Sequence, residues 1–243
     1  MKIVAVASGK GGVGKSTVSL NVARALAECG AAVGLLDADV YGPDIPLMLG
    51  LKQTRELKRW LLGRNPSLGR LELDPVERLG LKVMSVGFLL AEGQALEMPA
   101  AIVELVGRQL IHDVRWGELD YLIVDLPPGT ADVQQQLFRT VDLAGAIVVV
   151  GPQDAAHLDA RKLVAMLRDA NVPILGAVEN MRGLACPHCG EVIEVFPPVA
   201  DERSVLREVG LLGSVPLDPA YARLNGVPAP FAAIAARVAA ALE

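Results

Sequence analysis

The sequence of 243 residues has only three cysteines and no apolar run long enough to cross a membrane. A membrane-spanning helix needs about 20 consecutive apolar residues, and the apolar start of the chain, MKIVAVASGK, is too short for a secretory signal. So few cysteines do not indicate a disulfide framework. We therefore expect a cytoplasmic protein that has no membrane partner.

Positive charge is not in excess either, since the formal net charge is −5 at pH 7. A protein that binds the nucleic-acid backbone needs a strongly basic surface, so we expect no nucleic-acid partner. Hydrophobic residues make up 52% of the chain, which favours a folded protein over a disordered one. The length fits one large domain or two small ones.

Short apolar segments alternate with longer amphipathic segments along the chain. The apolar segments are rich in Val, Ile and Leu without polar alternation, which is typical of parallel strands covered on both faces. The predicted strands are 2–7, 33–37, 82–86, 121–125, 146–150, 174–178 and 212–215, and the predicted helices are 15–29, 100–112, 130–140, 155–170, 201–209 and 231–242. This alternation predicts an α/β fold, a doubly wound and mostly parallel sheet with helices on both faces.

Two stretches interrupt the alternation. Residues 52–80 are charged and contain Gly and Pro, so we expect a surface excursion there. The second interruption carries a Cys-x-x-Cys sequence. We expect a single domain over residues 1–243, with this cysteine segment inserted near 182–198.

A glycine-rich loop follows the first predicted strand and opens the first predicted helix. Its pattern, Gly9-x-x-x-x-Gly14-Lys15-Ser16, in this context predicts a P-loop that binds ATP and Mg²⁺. Glycines allow the backbone to approach phosphates closely, Lys15 would reach the β- and γ-phosphates, and the Ser16 hydroxyl would bind Mg²⁺. The alternative is a glycine-rich turn without a ligand. The predicted nucleotide-binding residues of the loop are Gly9, Lys10, Gly11, Gly12, Val13, Gly14, Lys15, Ser16 and Thr17.

Carboxylates follow two of the predicted strands. Asp37 and Asp39 end the second strand, and Asp125 ends the strand YLIVD. Ligands of open α/β sheets bind at the carboxyl ends of the strands, so these side chains are expected to face the phosphates. An apolar strand that ends in Asp downstream of a P-loop predicts a magnesium-holding carboxylate at Asp125. Asp44 is expected to cap a short helix instead.

The segment Cys186-Pro187-His188-Cys189-Gly190 directs two thiolates towards one point. A redox dithiol, a zinc site and an iron–sulfur site are all compatible with this spacing. No second Cys pair exists in the chain, so four thiolates would require two chains. Cys29 is expected to be a small core residue.

The loop resembles that of the deviant Walker A ATPases, whose pattern is Lys-Gly-Gly-x-Gly-Lys-[Ser/Thr]. The resemblance implies a homodimer in which Lys10 reaches the nucleotide of the other subunit, much as an arginine finger does. It also implies that Asp39 activates the attacking water, and that Asp37 supports the magnesium shell. Asn180 would read the adenine edge in such a protein, with a turn asparagine as the alternative. The catalytic residues implied are Lys10, Lys15 and Asp39.

A longer set of motifs resembles the Mrp/ApbC-type ATPases, the iron–sulfur cluster carrier proteins. In order, they are GKGGVGKST, DADVYGPDIP, SVGFL, DYLIVDLPPGT, GPQDAAHLDARK, VENM before CPHCG, and VPLDP. The resemblance implies that Cys186 and Cys189 hold a [4Fe–4S] cluster for delivery to apo iron–sulfur proteins. Alternatives are a positioning ATPase of the MinD/ParA kind and an ATPase dimer with structural zinc. Residues 95–99 and Arg182-Gly183 depart from the family pattern.

Overall fold

The computed structural model of the protein describes residues 1–39, 42–51, 73–89, 109–129, 132–186, 188–222 and 224–243. The predicted helix 100–112 lies outside these residues except for its last turn, and so do most of the excursion 52–80 and the departing segment 95–99. Within the described residues, no helix is both long and apolar enough to cross a membrane.

The described strands form one sheet. They are β1 (Lys2–Ala7), β2 (Val33–Asp37), β3 (Val76–Arg78), β4 (Leu81–Ser85), β5 (Tyr121–Asp125), β6 (Gly145–Val150), β7 (Ile174–Ala185), β8 (Val192–Ile193) and β9 (Leu211–Leu217). The order across the sheet is β3-β4-β2-β5-β1-β6-β7-β8, with β9 also paired to β7. Only the pairs β3–β4 and β7–β8 are antiparallel among the described strands. The predicted, mostly parallel sheet is therefore confirmed.

Helices cover both faces of this sheet. They are α1 (Lys15–Glu28), α2 (Ile45–Met48), α3 (Asp132–Thr140), α4 (Asp154–Asp169), α5 (Leu206–Val209) and α6 (Ala229–Ala241). From β1 the chain crosses towards β2, whereas from β6 it crosses the opposite way to β7. Because such crossovers are right-handed, α1 and α4 lie on opposite faces. Helix α6 packs against α1.

Strands β2 and β6 are buried from end to end, and β1 and β5 are buried after their first residue, as their apolar composition predicts. No residue of β2 or β6 is exposed to solvent, since helices exclude water from both faces. Parallel pairing brings the carboxyl ends of β1, β2 and β5 to one edge of the sheet. The residues that follow these strands are thereby brought together.

The predicted helix 201–209 is wrong in length, because only Leu206–Val209 is helical. Val205 is fully buried, and its N–H donates to Nδ1 of the buried His157 on α4 at 3.3 Å. Arg203 forms an ion pair with Asp154 at the start of α4. These contacts with α4 hold residues 201–205 in turns, so tertiary packing overrides the local helical pattern.

The prediction that Cys29 is a buried core residue is also wrong. Helix α1 ends at Glu28, and Cys29 occupies the C-cap position, where it is exposed. Gly30 follows with a φ of 92° and turns the chain away from the helix. The apolar face of α1 therefore ends before Cys29.

Candidate nucleotide site and cysteine hairpin

The glycine-rich loop joins β1 to α1 at the carboxyl edge of the sheet. Gly14 is the N-cap of α1 with a φ of 80°, and a Cβ atom there would lie 2.2 Å from Nδ2 of Asn180. Only glycine satisfies both conditions. The first turn of α1 has no side-chain cap and no acidic residue. Its N–H groups and positive dipole end can therefore receive an anion such as a phosphate.

Lys15 begins α1 and lies buried beneath this loop. Its Nζ donates to Oδ1 of Asp125 at 2.8 Å and lies 3.8 Å from Oδ2 of Asp39. The Ser19 hydroxyl donates to the same Asp125 oxygen at 2.7 Å. The other oxygen of Asp125, Oδ2, is buried and has no hydrogen-bond partner among the described residues. Such an atom is an available ligand for a cation.

Asp37 faces Asp125 directly across the β2–β5 pair. Its Oδ2 accepts hydrogen bonds from the Ser85 hydroxyl at 2.9 Å and the Ile45 N–H at 3.2 Å. Its Oδ1 accepts the N–H of Asp39 at 3.2 Å. Burial, and then the negative charge of Asp125, raise the pKa of Asp37 well above the usual range. A divalent cation bound here would offset this repulsion and favour the charged form of both carboxylates.

The prediction that the Asp44 side chain caps α2 is wrong. Asp44 occupies the N-cap position but makes no side-chain cap hydrogen bond. Asp37 instead accepts the Ile45 N–H. The Asp37 carboxylate thus accepts backbone hydrogen bonds both from Asp39 and from the start of α2.

Asn180 does not occupy a turn, so that alternative is contradicted. It lies within β7 and is buried. Its Nδ2 donates to the carbonyl oxygen of Val13 at 2.8 Å. Asn180 therefore supports the glycine-rich loop from β7, which lies two strands away from β1 in the sheet.

The loop after β5 lies beside the glycine-rich loop. The Gly129 N–H donates to the carbonyl oxygen of Ser8 at 3.0 Å, and a Cβ atom on Gly11 would lie 3.8 Å from Cγ of Pro128. This position is where a loop that senses the terminal phosphate would be needed.

Lys10 projects from the glycine-rich loop into solvent, unlike Lys15. Ser16 and Thr17 are half-buried at the start of α1, and Gly11 and Gly12 are exposed. The two lysines of the loop thus differ in burial. Lys15 faces the carboxylates of its own chain, whereas Lys10 faces outward.

The two cysteines lie at the tip of a hairpin that continues β7. We call the segment from Leu184 to Ile193 the cysteine hairpin; β7 and β8 pair at its base. The Gly190 N–H donates to the Cys186 carbonyl at 2.8 Å. The N–H groups of His188 and Cys189 lower the pKa of the Cys186 thiol, because they stabilise the thiolate. Cys189 is exposed and Cys186 is half-buried.

The described part of the chain does not complete a metal site around these thiols. It contains no group of three or more His, Cys, Asp and Glu side chains arranged to hold a metal ion. Since iron–sulfur clusters and structural zinc take four ligands, the hairpin offers half of such a set.

Sequence reasoning missed three residues that shape these sites. Ser85 ends β4 at the same edge as the carboxylates, so the strand-end rule that located Asp37 could have located it. Ser19 carried no motif signal. Arg182 was noted only as a departure, although it forms ion pairs with Glu179 and Glu194.

Comparisons with known proteins agree with this arrangement. A model of the ParA family, described as NUBPL iron-transfer P-loop NTPase, matches residues 1–241. An iron–sulfur cluster carrier protein of Deinococcus radiodurans is 45% identical over 216 residues, which cover 89% of this chain and 59% of that protein. The carrier protein of Aquifex aeolicus is 42% identical over 224 residues, covering 90% and 58% respectively.

The chain thus spans less than two thirds of the length of these two relatives. Among solved structures, a nucleotide-binding protein from Archaeoglobus fulgidus in complex with ADP is 34% identical, with a TM-score of 0.74. The alignment covers 95% of this chain and 90% of that one. The family match over nearly the whole chain decides the classification: this protein belongs to the ParA family of NUBPL iron-transfer P-loop NTPases.

Proposed function

We propose that this protein is an ATP-dependent carrier of iron–sulfur clusters that delivers a [4Fe–4S] cluster to apo iron–sulfur proteins. The observation that carries the proposal is a pair of accessible thiols, Cys186 and Cys189, on a hairpin that extends from a strand of the nucleotide site. The names of the relatives support it. A carrier needs such a site, because its cargo must be reachable by the acceptor.

The nucleotide binds at the start of α1 in this proposal. The N–H groups from Gly9 to Thr17 surround the phosphates, and Lys15 exchanges the carboxylate of Asp125 for the β- and γ-phosphates. Asn180 keeps its hydrogen bond to Val13, so its carbonyl Oδ1 is the end of the amide that can accept from the adenine amino group.

The donor set fits Mg²⁺. The hydroxyl of Ser16 and the free oxygen of Asp125 would hold the ion, and Asp37 would support its ligands. All are hard oxygen groups, which Mg²⁺ prefers. When bound, Mg²⁺ supplies positive charge against the phosphates and the buried carboxylates.

Hydrolysis is assigned to Asp39 and to Lys10. Asp39 is buried at the carboxyl edge and orients the attacking water. Lys10 is exposed, so it is available to a nucleotide held by a second copy of the chain, where its charge stabilises the phosphoryl-transfer transition state. We expect slow turnover, since hydrolysis here switches a homodimer between two states.

Two alternative functions would give different results in a metal analysis of the purified protein. A positioning ATPase would bind Mg-ATP without iron, and a dimer with structural zinc would retain zinc but take up no cluster. Anaerobic purification with iron, sulfide and zinc quantified together separates them. For a carrier, reconstitution should give roughly four iron atoms per dimer and a broad absorption band at about 400 nm.

Cysteine variants make this experiment specific. Cys186→Ala or Cys189→Ala should abolish stable iron binding and leave Mg-ATP binding intact, because each removes one ligand per subunit. Cys29→Ala is the matched control: Cys29 is also exposed, but roughly 20 Å of helix separates it from the glycine-rich loop. Iron retained by the Cys186/Cys189 double variant would refute the assignment.

A further inference from the structure

Strand β7 contacts the glycine-rich loop and then continues into the cysteine hairpin. Asn180 donates to the Val13 carbonyl of the loop. Met181 follows, and its methyl carbon lies 3.4 Å from the position of a Cβ atom on Gly14. Cys186 is only five residues further along the chain. The side chains of two consecutive β7 residues therefore lie beside the loop that would bind the phosphates.

The strand is irregular between these two sites. From Asn180 to Leu184, β7 advances four residues while its partner β9 advances two, from Val215 to Leu217. Residues 181–183 thus form a bulge with two extra residues, which we call the β7 bulge. Bulges of this kind redirect a strand beside functional sites.

Two residues of the β7 bulge have left-handed backbone conformations. Met181 has a φ of 60° and Gly183 a φ of 74°. A non-glycine residue pays a steric cost in this region. A Cβ atom on Gly183 would lie 2.7 Å from Cγ1 of Val192 and 2.8 Å from the carbonyl oxygen of Ile193. The bulge is therefore shaped by contacts on both sides, the glycine-rich loop at Met181 and strand β8 at Gly183.

Arg182, at the centre of the bulge, forms ion pairs both with the end of the cysteine hairpin and with β7 in the main sheet. One guanidinium nitrogen lies 2.6 Å from Oε2 of Glu194, just after β8, and the other lies 3.7 Å from Oε1 of Glu179 in β7. Glu179 is buried and accepts a hydrogen bond from Ser214 of β9. The Arg182 side chain is 19% exposed, so these ion pairs are partly shielded from solvent.

We propose that the β7 bulge couples nucleotide binding to the accessibility of the two cysteines, with Arg182 as the positioning residue. This inference rests on the proposed function, since it supplies the control that a nucleotide-dependent carrier requires. Phosphates in the loop shift the loop against Met181, while Asn180 keeps its hydrogen bond to Val13 and moves with the loop. Because the bulge is not paired along residues 181–183, the displacement reaches the hairpin through Arg182 and its two glutamates rather than through the β-ladder.

The test uses the full-length apo-protein, so it requires neither iron nor hydrolysis. Alkylation of each cysteine is followed by mass spectrometry with and without saturating Mg-ATP. In the wild type we expect Mg-ATP to change the alkylation rate of Cys186 and Cys189 by about fivefold, the lower end of common coupling between sites. Cys29, exposed at the other end of α1, is the internal reference and should not respond.

Arg182→Gln should retain the wild-type affinity for Mg-ATP and lose the response of the hairpin cysteines. Met181→Ala, which removes the contact with the loop, should weaken the response in the same way. Arg115→Gln is the matched control, because Arg115 also pairs with a carboxylate, Asp74, but lies away from β7. It should respond like the wild type.

Three results would overturn the inference: no nucleotide effect in the wild type, an unchanged effect in Arg182→Gln, or loss of Mg-ATP binding in that variant. The last would make Arg182 part of the nucleotide site. The outcome is separable from the proposed function. If the protein binds four iron per dimer but Mg-ATP does not change the reactivity of its thiols, it is a carrier without this coupling. If Mg-ATP changes the reactivity of the thiols but the protein takes up no iron, the coupling stands and the carrier function is refuted.

Discussion

At the residue scale, Lys15 balances the negative charge of the nucleotide site. It lies buried between Asp39 and Asp125, and its charge also lowers the pKa of Asp37, against the larger effects of burial and Asp125. Without nucleotide, the lysine thus compensates carboxylates that would otherwise repel each other. Motif reasoning gives Lys15 only its phosphate-binding role.

We predict that Lys15→Ala abolishes Mg-ATP binding and also destabilises the apo-protein. Removing one partner of a buried ion pair costs about 3 kcal/mol. Lys10→Ala is the control, since Lys10 is exposed, and its effect on stability should stay within about 0.5 kcal/mol. Calorimetric titration and denaturant unfolding measure the two effects.

The loss of stability should depend on pH. Since the folded-state pKa of Asp37 is raised, the folded protein holds a proton that the unfolded chain releases, and stability falls as pH rises from the ordinary carboxyl range to the raised value. Lys15→Ala raises that pKa further, so its stability deficit should grow as the pH rises above the ordinary carboxyl range. A deficit of equal size at every pH would show that the lysine does not balance these carboxylates.

At the element scale, the glycine-rich loop packs against helix α4 and also leads into α1. A Cβ atom on Gly9 would lie 2.3 Å from the carbonyl oxygen of Asp159 and 2.7 Å from the backbone nitrogen of Ala160. These are backbone atoms of a helix, which cannot move aside alone. Gly9 is thus required by packing between elements, in addition to any role at the phosphates.

We predict that Gly9→Ala destabilises the apo-protein by about 2 kcal/mol, because α4 must shift to admit the methyl group. Gly11→Ala is the matched control in the same loop. Its Cβ would lie 3.8 Å from Pro128, an ordinary van der Waals distance, so its stability should change by less than about 0.5 kcal/mol. Thermal unfolding without nucleotide compares them, and equal midpoints would contradict the packing argument.

At the scale of the whole molecule, the two lysines of the loop face different environments. Lys15 points into its own chain, whereas Lys10 is exposed. If Lys10 acts on the nucleotide of a second subunit, each hydrolytic site contains Asp39 from one chain and Lys10 from the other. The arrangement can be tested by mixing defective chains.

We predict that Lys10→Ala and Asp39→Ala are each nearly inactive in ATP hydrolysis while Lys10→Ala still binds Mg-ATP. An equal mixture should recover about one quarter of the wild-type rate, because half of the dimers are mixed and each mixed dimer has one complete site. Steady-state phosphate release is the measurement. An inactive mixture would mean that the Lys10 and Asp39 of one site come from the same chain, and a fully active Lys10→Ala would remove the lysine from the mechanism.

Local sequence was sufficient for the parallel strands, for the glycine-rich loop and for the carboxylates at the strand ends, but it did not predict the antiparallel strands β3 and β8. The seven predicted strands are all present, since fully buried parallel strands are uniformly apolar and easily recognised. The glycine-rich loop and the carboxylates at strand ends were located because the chemistry of phosphate and Mg²⁺ requires those residue types at those places. The hairpin cysteines followed from their spacing in the same way.

Tertiary structure alone decided which partners these residues meet. The exposure of Cys29, the shortened helix α5 and the use of Asp37 to cap α2 all depend on where an element ends against its neighbours, and contacts between distant segments leave no periodic signal in the sequence. The β7 bulge is the clearest case: the sequence contains Met181 and Arg182, but only pairing with β8 and β9 turns them into a link between the loop and the cysteines.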